Sequence, residues 1–264
     1  MRTFVSGACT SENIFHLVNP AEFSEEEFEQ HAIAALRCSF ADYHCVPFHA
    51  PFIFEGVIHE ADLALIHKKY SHWFIVEVEM TSHSLHGHVI PQVSCFRFGE
   101  PLPACADILC KGLPGLDSGT ALSLLRYVPR SVAVLTNRAN SEWSSVLAAL
   151  STQLVTVSVF SSEDGRVAHE TEGSLHVAAE NLGFWTYSAI DRSIKLPLSS
   201  DLKEGTVQIE DVYGLVGNWQ VRRSSEGFWL TKLRGAPGIP DGILVQVIRS
   251  YLGKMKVRVP AAMG

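Results

Sequence analysis

Charge is scarce in this 264-residue chain: Asp, Glu, Lys and Arg make up 19%, against 47% apolar residues. That balance excludes low-complexity disorder and supplies ample material for a buried core. Long apolar runs are missing too. Segments such as Trp73–Val76 and Ile243–Ile248 fall far below the roughly 20 residues of a membrane-spanning helix, so no membrane partner is expected. The opening MRTFVSGACTSENIF has one Arg and no apolar h-region, which argues against a signal peptide. Six cysteines (Cys9, Cys38, Cys45, Cys95, Cys105 and Cys110) occur without a CxxC pair, a usage that suits reduced thiols and a cytoplasmic location. There is no P-loop, no GxGxxG opening a helix, no GxSxG elbow and no internal repeat, which removes the common phosphate-cradling and serine-hydrolase signatures.

The net charge of −7 at first argues against a nucleic-acid partner. It is unevenly spread. Residues 191–264 carry 11 Lys and Arg against 7 Asp and Glu, a net of +4; residues 1–190 carry 10 against 21, a net of −11. The cluster Arg249, Lys254, Lys256 and Arg258 has no acid within it. A patch facing DNA and a solvated basic face are both compatible with this asymmetry.

Along the chain, Ser24 with Glu27 three residues on forms a capping-box pattern. Apolar positions Phe28, Ala32, Ala35, Leu36 and Phe40 then predict a helix over about 24–39. Pro47 and Pro51 reduce 45–54 to an irregular or edge strand. Strands are predicted at 57–66 and 73–80, joined by a polar hairpin at 67–72. A helix capped by Ser82 or Ser84 runs to about Phe98, and the Gly- and Pro-rich 99–118 predicts a long loop. Strand 131–137, helix 142–150 and strand 154–160 complete a mixed α/β domain over 1–190. Beyond it, TVQIED, YGLVG, WQVRR and FWLTKLRG predict a small SH3-like or OB-like β-barrel over 191–264.

The strand WFIVEVEM carries the chemistry. Phe74, Val76, Val78 and Met80 alternate with Ile75, Glu77 and Glu79. Carboxylates in an otherwise apolar strand are costly to bury unless something neutralises them, and a hard divalent ion with oxygen ligands does so. Asp62, also inside an apolar run, falls opposite about residue 76 if the hairpin is centred near residue 69. Asp62, Glu77 and Glu79 are therefore the expected metal ligands, with Mg²⁺ or Mn²⁺ as cofactor.

GVIHEADLALI followed by WFIVEVEM resembles motifs II and III of the PD-(D/E)XK nuclease superfamily. Glu79 occupies the position of the superfamily's Lys, like the E-x-E variant of some restriction endonucleases. Gln92 and Phe96 in PQVSCF are similar to the QxxxY helix motif of the RecB-like branch, with Phe for Tyr. Glu29, with Glu25 and Glu26 as rivals, is placed like the motif I acid of Holliday-junction resolvase-like members. The resemblance covers about residues 24–160. It implies a restriction-endonuclease-like core and Mg²⁺-dependent hydrolysis of DNA phosphodiester bonds in restriction, phage defence or repair. In that scheme Asp62 and Glu77 ligate metal, Glu79 is a base or second-ion ligand, Glu29 completes the acid shell, and Gln92 belongs to the site.

His83, His86 and His88 form a further cluster. His88 is one helical turn from Gln92 and is the candidate for a catalytic or phosphate-contacting role. No fourth ligand of recognisable spacing accompanies the three, so zinc is not expected. In the C-terminal part, Arg222, Arg223, Lys232 and Arg234 interleave with Trp219, Phe228 and Trp229, a pattern that serves either nucleic-acid binding or a barrel core with a solvated face. The expected partner is DNA, with a homodimer or larger assembly compatible with the sequence. A catalytically inactive nuclease-fold module that binds nucleic acid or a partner protein, and a hydrolase of RNA or nucleotides, are the rival expectations.

Overall fold

The computed structural model describes residues 2–6, 14–190, 192–235 and 238–260, with side chains from residue 14 onward. Cys9 lies outside the described residues. The chain divides into two compact units, one of Met1–Lys68, Trp73–Arg126 and Arg130–His176, the other of Lys69–His72, Tyr127–Pro129 and Val177–Gly264.

In the first unit, β1 (Arg2–Ser6) and β2 (Phe15–Leu17) precede α1 (Glu25–Ser39). Ser24 Oγ accepts the Glu27 amide at 3.2 Å while the Glu27 carboxylate accepts the Ser24 amide at 2.9 Å, closing the expected capping box. The helix buries Phe28, Ala32, Ile33, Ala35 and Leu36. Next come β3 (Tyr43–Phe54), β4 (Val57–His67) and β5 (Trp73–Glu79), a meander of antiparallel strands. β3 runs for 12 residues in spite of its two prolines. Its register shifts between Pro47 and Ala50, with His49 at φ 33°. The two-residue β6 (Glu100–Pro101) covers it only at Phe52 and Ile53, so most of one side is an edge, where a missing amide removes no ladder bond.

A π-helical turn, Leu85–Val89, leads into α2 (Ile90–Phe98). The predicted loop over 99–118 is instead half helical, with α3 (Ala104–Gly112) and the start of α4 (Ser118–Tyr127). Its prolines and glycines lie at the helix ends rather than inside: Pro101 and Pro103 before α3, Gly112, Pro114 and Gly115 at or after its end. Between them Cys105, Ala106 and Leu109 form the buried stripe. β7 (Arg130–Thr136), α5 (Ser141–Ala149), β8 (Gln153–Ser162) and β9 (Val167–Glu172) complete the unit. Its sheet has the order β1-β9-β8-β7-β5-β4-β3-β6, with β2 beside β8. β5, β7 and β8 are parallel neighbours and the other pairs antiparallel, so β5 is central and every residue in it is buried.

The second unit contains β10 (Ala179–Thr186), β11 (Ser193–Leu196), β12 (Gly205–Glu210), β13 (Val216–Ser224), β14 (Gly227–Lys232), β15 (Leu244–Ser250) and β16 (Met255–Arg258). Their order, β10-β15-β16-β12-β13-β14-β11, makes a nearly closed, barrel-like sheet. Trp219, Val221, Leu230, Val245, Val247 and Val257 are buried in its core. At the seam Ser200 Oγ donates to the Leu182 carbonyl, and Gly183, at φ 147°, leaves no room for a Cβ, which would meet Pro197 Cδ at 2.8 Å. The mixed α/β architecture with a barrel-like C-terminal part is as the sequence predicts. The barrel begins at Val177 rather than near 191, because β10 pairs with β15 some sixty residues downstream, a partnership that local pattern does not reveal. YGLVG is not a separate strand: Asp211 turns the chain by accepting the Tyr213 and Leu215 amides, and Val216 opens β13. Among the described residues, no helix is long and apolar enough to cross a membrane.

Candidate metal centre

Alternation along β5 sends Glu77 and Glu79 to one face. Both are buried, at 2% and 1% exposure. The β4–β5 ladder pairs Leu63 with Val76 and Ala64 with Ile75, one residue away from the expected register. That offset decides the site, since a one-residue slip turns a side chain to the opposite face. Continued by one step, the observed register sets Asp62 against Glu77, on the face of the two glutamates. Asp62 Oδ2 accepts the Val78 amide at 2.7 Å, so the side chain takes over a backbone partner where the ladder ends.

The three acids are poorly compensated. Glu77 Oε1 accepts from Gln92 Nε2 at 2.6 Å, while Glu77 Oε2 and Gln92 Oε1 are buried without a hydrogen-bond donor. Glu79 Oε2 lies 2.6 Å from His83 Nδ1, and Glu79 Oε1, also buried, accepts no hydrogen bond although His88 Nε2 is 3.2 Å away. No Lys or Arg pairs with any of the three among the described residues. Burial pushes Asp62 up to about 7; the Val78 hydrogen bond opposes this, and the charges of Glu29, Glu79 and Glu25 add to it. Burial, followed by the neighbouring Asp62 and Glu79 charges, holds Glu77 well above the usual carboxylate range. Burial also raises Glu79, restrained by the His83 hydrogen bond and by His88. Asp62 and Glu77 are thus acids whose ionised forms lack a positive counterpart, whereas Glu79 has the two imidazoles of His83 and His88.

Asp62 and Glu77, though not Glu79, line an open cavity of about 440 Å³, with Glu25, Glu60, His83, Ser84, His88 and Gln92 also on its wall. Of the rival acids on α1, Glu25 and Glu29 lie one turn apart and both act on Asp62, whereas Glu26 does not. Glu29 also stands 3.7 Å from His49 Nε2 at the β3 bulge. Gln92 and His88 both line this cavity.

His83, grouped by sequence with the other histidines but not placed at the site, stands beside Glu79 in the structure. Helical spacing groups it with His86. In the structure, Ser84 accepts the His88 and Val89 amides at 2.9 and 3.3 Å, and the wide π-helical turn brings His88 to His83, with ring centroids 5.1 Å apart. An isolated π turn has no distinctive sequence pattern, though it recurs at functional sites. Among the described residues, the His/Cys/Asp/Glu group whose ligand atoms all lie within 4.8 Å of one another is Glu79, His83 and His88, rather than the expected trio Asp62, Glu77 and Glu79.

The proposed nucleic-acid-binding residues do not form one face. Arg222 and Arg223 are exposed but successive in β13, so they point to opposite sides. Lys232 Nζ is committed to the buried Asp211 at 3.3 Å, and Arg234 is exposed beyond the end of β14. Trp219 and Phe228 are core, while Trp229 is half-buried and stacks edge-on to Trp185. In the last basic cluster, Arg249 pairs with Glu180 and Lys256 with Glu210. Acids distant in sequence therefore offset charge that looks unopposed locally. No protein-family model matches this chain, and no curated protein matches it.

Proposed function

We propose that the protein is a divalent-cation-dependent phosphodiesterase acting on DNA, with its reaction centre in the acidic cavity of the first unit. One observation carries the reading. Three buried oxygens, Glu77 Oε2, Glu79 Oε1 and Gln92 Oε1, meet no donor, beside an Asp62 whose carboxyl is held up near 7. Buried polar atoms are almost always paired, and an all-oxygen set opening on a cavity fits a hard cation such as Mg²⁺ or Mn²⁺. Asp62 and Glu77 would hold it. A divalent cation there would supply Lewis-acid stabilisation of charge on the phosphoryl oxygens and make water a better nucleophile.

The protein's own groups do the rest. The Gln92 amide fixes the Glu77 carboxylate by its Nε2 hydrogen bond. The Val78 amide orients Asp62. Glu79 Oε1 accepts no hydrogen bond among the described residues and would accept a proton from water, with His83 steadying the other oxygen. Glu29 and Glu25 reinforce the negative field that recruits the cation. The resemblance of the hairpin acids and the Gln92 helix to nuclease motifs supports phosphodiester chemistry, and phage defence, restriction and repair are its settings.

The acidic wall also favours a second reading, a catalytically silent nuclease-fold module that binds nucleic acid or a protein, because among the described residues no Lys or Arg lines the cavity to meet a phosphate. Incubating purified protein with plasmid, linear and single-stranded DNA in Mg²⁺, in Mn²⁺ and in chelator separates the two. Cleavage that requires the cation and disappears in Asp62→Ala supports the enzyme. Binding without cleavage in every condition supports the silent module.

A further inference from the structure

The geometry points to a second, chemically different cation site beside the all-oxygen one: Glu79, His83 and His88 form a centre for a first-row transition ion of the Zn²⁺ class. Their ligand atoms all lie within 4.8 Å of one another. His88 Nε2 and Glu79 Oε1 are 3.2 Å apart and yet form no hydrogen bond, although the oxygen is buried and unpartnered. Two donors held about 2.0–2.1 Å from one ion at a tetrahedral angle stand about 3.3 Å apart. The observed separation matches that of two ligands sharing one ion. His83 stands on the third side, its Nδ1 hydrogen-bonded to the other Glu79 oxygen at 2.6 Å and its Nε2 3.9 Å from Glu25; to ligate an ion, Nδ1 would give up that hydrogen bond.

Exposure follows the same logic. Glu79 is an anchor with a side chain 1% exposed, while His83 and His88, at 31% and 48%, face the open cavity from which an ion and a fourth, exchangeable ligand arrive. Two imidazoles and one carboxylate select against Mg²⁺, which prefers oxygen and sheds water reluctantly, and in favour of Zn²⁺, Co²⁺ or Ni²⁺. The site goes beyond the proposed hydrolysis and shares only Glu79 with it; neither imidazole is needed to hold a hard ion at Asp62 and Glu77.

Co²⁺ is the probe, titrated into the chelator-stripped full chain in a large excess of Mg²⁺ and followed by its d–d absorption, with Zn²⁺ as competitor. The expected result is about one equivalent bound with a low-symmetry, nitrogen- and oxygen-ligated spectrum that Zn²⁺ abolishes. His83→Ala and His88→Ala, at partly exposed positions with folding checked by circular dichroism, should each weaken Co²⁺ at least tenfold. Asp62→Asn and Glu77→Gln should change it by less than about threefold, being outside the ligand set. Unchanged binding in both histidine variants, displacement by Mg²⁺, or a thiolate-to-cobalt charge-transfer band from the free cysteines would overturn the assignment. Failure here with Mg²⁺-dependent cleavage intact sinks this site alone. Co²⁺ binding without cleavage of DNA in any cation sinks the hydrolysis and spares the site.

Discussion

Neutralising Asp62 tests the electrostatic account of the cavity most directly. Burial lifts this carboxyl from its ordinary 3.8 to about 7 in the folded protein. Between those two values the folded chain holds a proton that the unfolded chain has released, so stability falls as pH rises through the window and levels off above about 7. At about 1.4 kcal/mol per tenfold change in proton affinity, the loss is at most about 4 kcal/mol, an upper bound because Glu77 and Glu79 share the same repulsion. Asp62→Asn carries no charge at any pH and keeps an oxygen for the Val78 amide. Urea unfolding of both proteins in chelator should give near-equal stabilities at pH 4 and a growing advantage for the variant toward pH 8. Saturating Mg²⁺ at pH 8 should then stabilise wild type and leave Asp62→Asn almost unchanged. If wild type and variant lose stability in parallel from pH 4 to 8, Asp62 is not the strained acid described here.

Four more outcomes are expected. Because Asp62 must lose its proton to ligate, Mg²⁺ should bind more tightly as pH rises toward about 7 and release protons below it; calorimetry in two buffers of different ionisation enthalpy measures this, and a pH-independent affinity would remove Asp62 from the ligand set. Glu79→Ala should lower cleavage at least tenfold through loss of its proton-accepting oxygen, whereas a wild-type rate would show that Glu79 merely lines the sheet. In the second unit, Lys232→Ala leaves the Asp211 carboxylate, 1% exposed, without its cation and should destabilise that unit by about 2–3 kcal/mol; replacing Arg222, Arg223 and Arg234 by Ala should spare stability and flatten the salt dependence of DNA binding by up to about 0.9 in log–log slope per lost phosphate contact, with an unchanged slope counting against those residues as phosphate contacts.

The elements most legible in the sequence were those whose signals are local. Ser24 and Glu27 are three residues apart and cap α1 as expected; the alternation of β5 put Glu77 and Glu79 on one face without any partner strand being known. The register of the hairpin was the first point of ambiguity. A polar turn of five or six residues tolerates either parity, and only the observed pairing of Leu63 with Val76 brings Asp62 to the glutamates. α3 was hidden because Pro and Gly punctuate helix ends as well as loops, and counting them does not tell the two apart. His83 was hidden by a π turn, and Lys232 read as a free base because Asp211, its partner, lies 21 residues earlier on a different turn.

β5 is paired on both sides, to β4 and to β7, and buried along its whole length, the position in which strands normally read as unbroken apolar runs. Two glutamates there, with an aspartate beside them, set local chemistry against global packing. A natural domain is stable by about 5–15 kcal/mol in all, so a cost of several kcal/mol at one site is a large share of that margin. Such conflicts persist where function requires them and are otherwise removed by apolar substitution. Replacing Glu77 by a hydrophobic residue would relieve the like-charge crowding but also leave the Gln92 amide without its acceptor. Glu77→Leu with Gln92→Leu relieves both at once. If the acids exist to hold a cation, this double variant should be more stable than wild type in chelator and no longer gain stability from Mg²⁺. A double variant less stable than wild type in chelator would mean that the carboxylate and amide serve the packing of the sheet, and the cavity would lose its claim to be built around an ion.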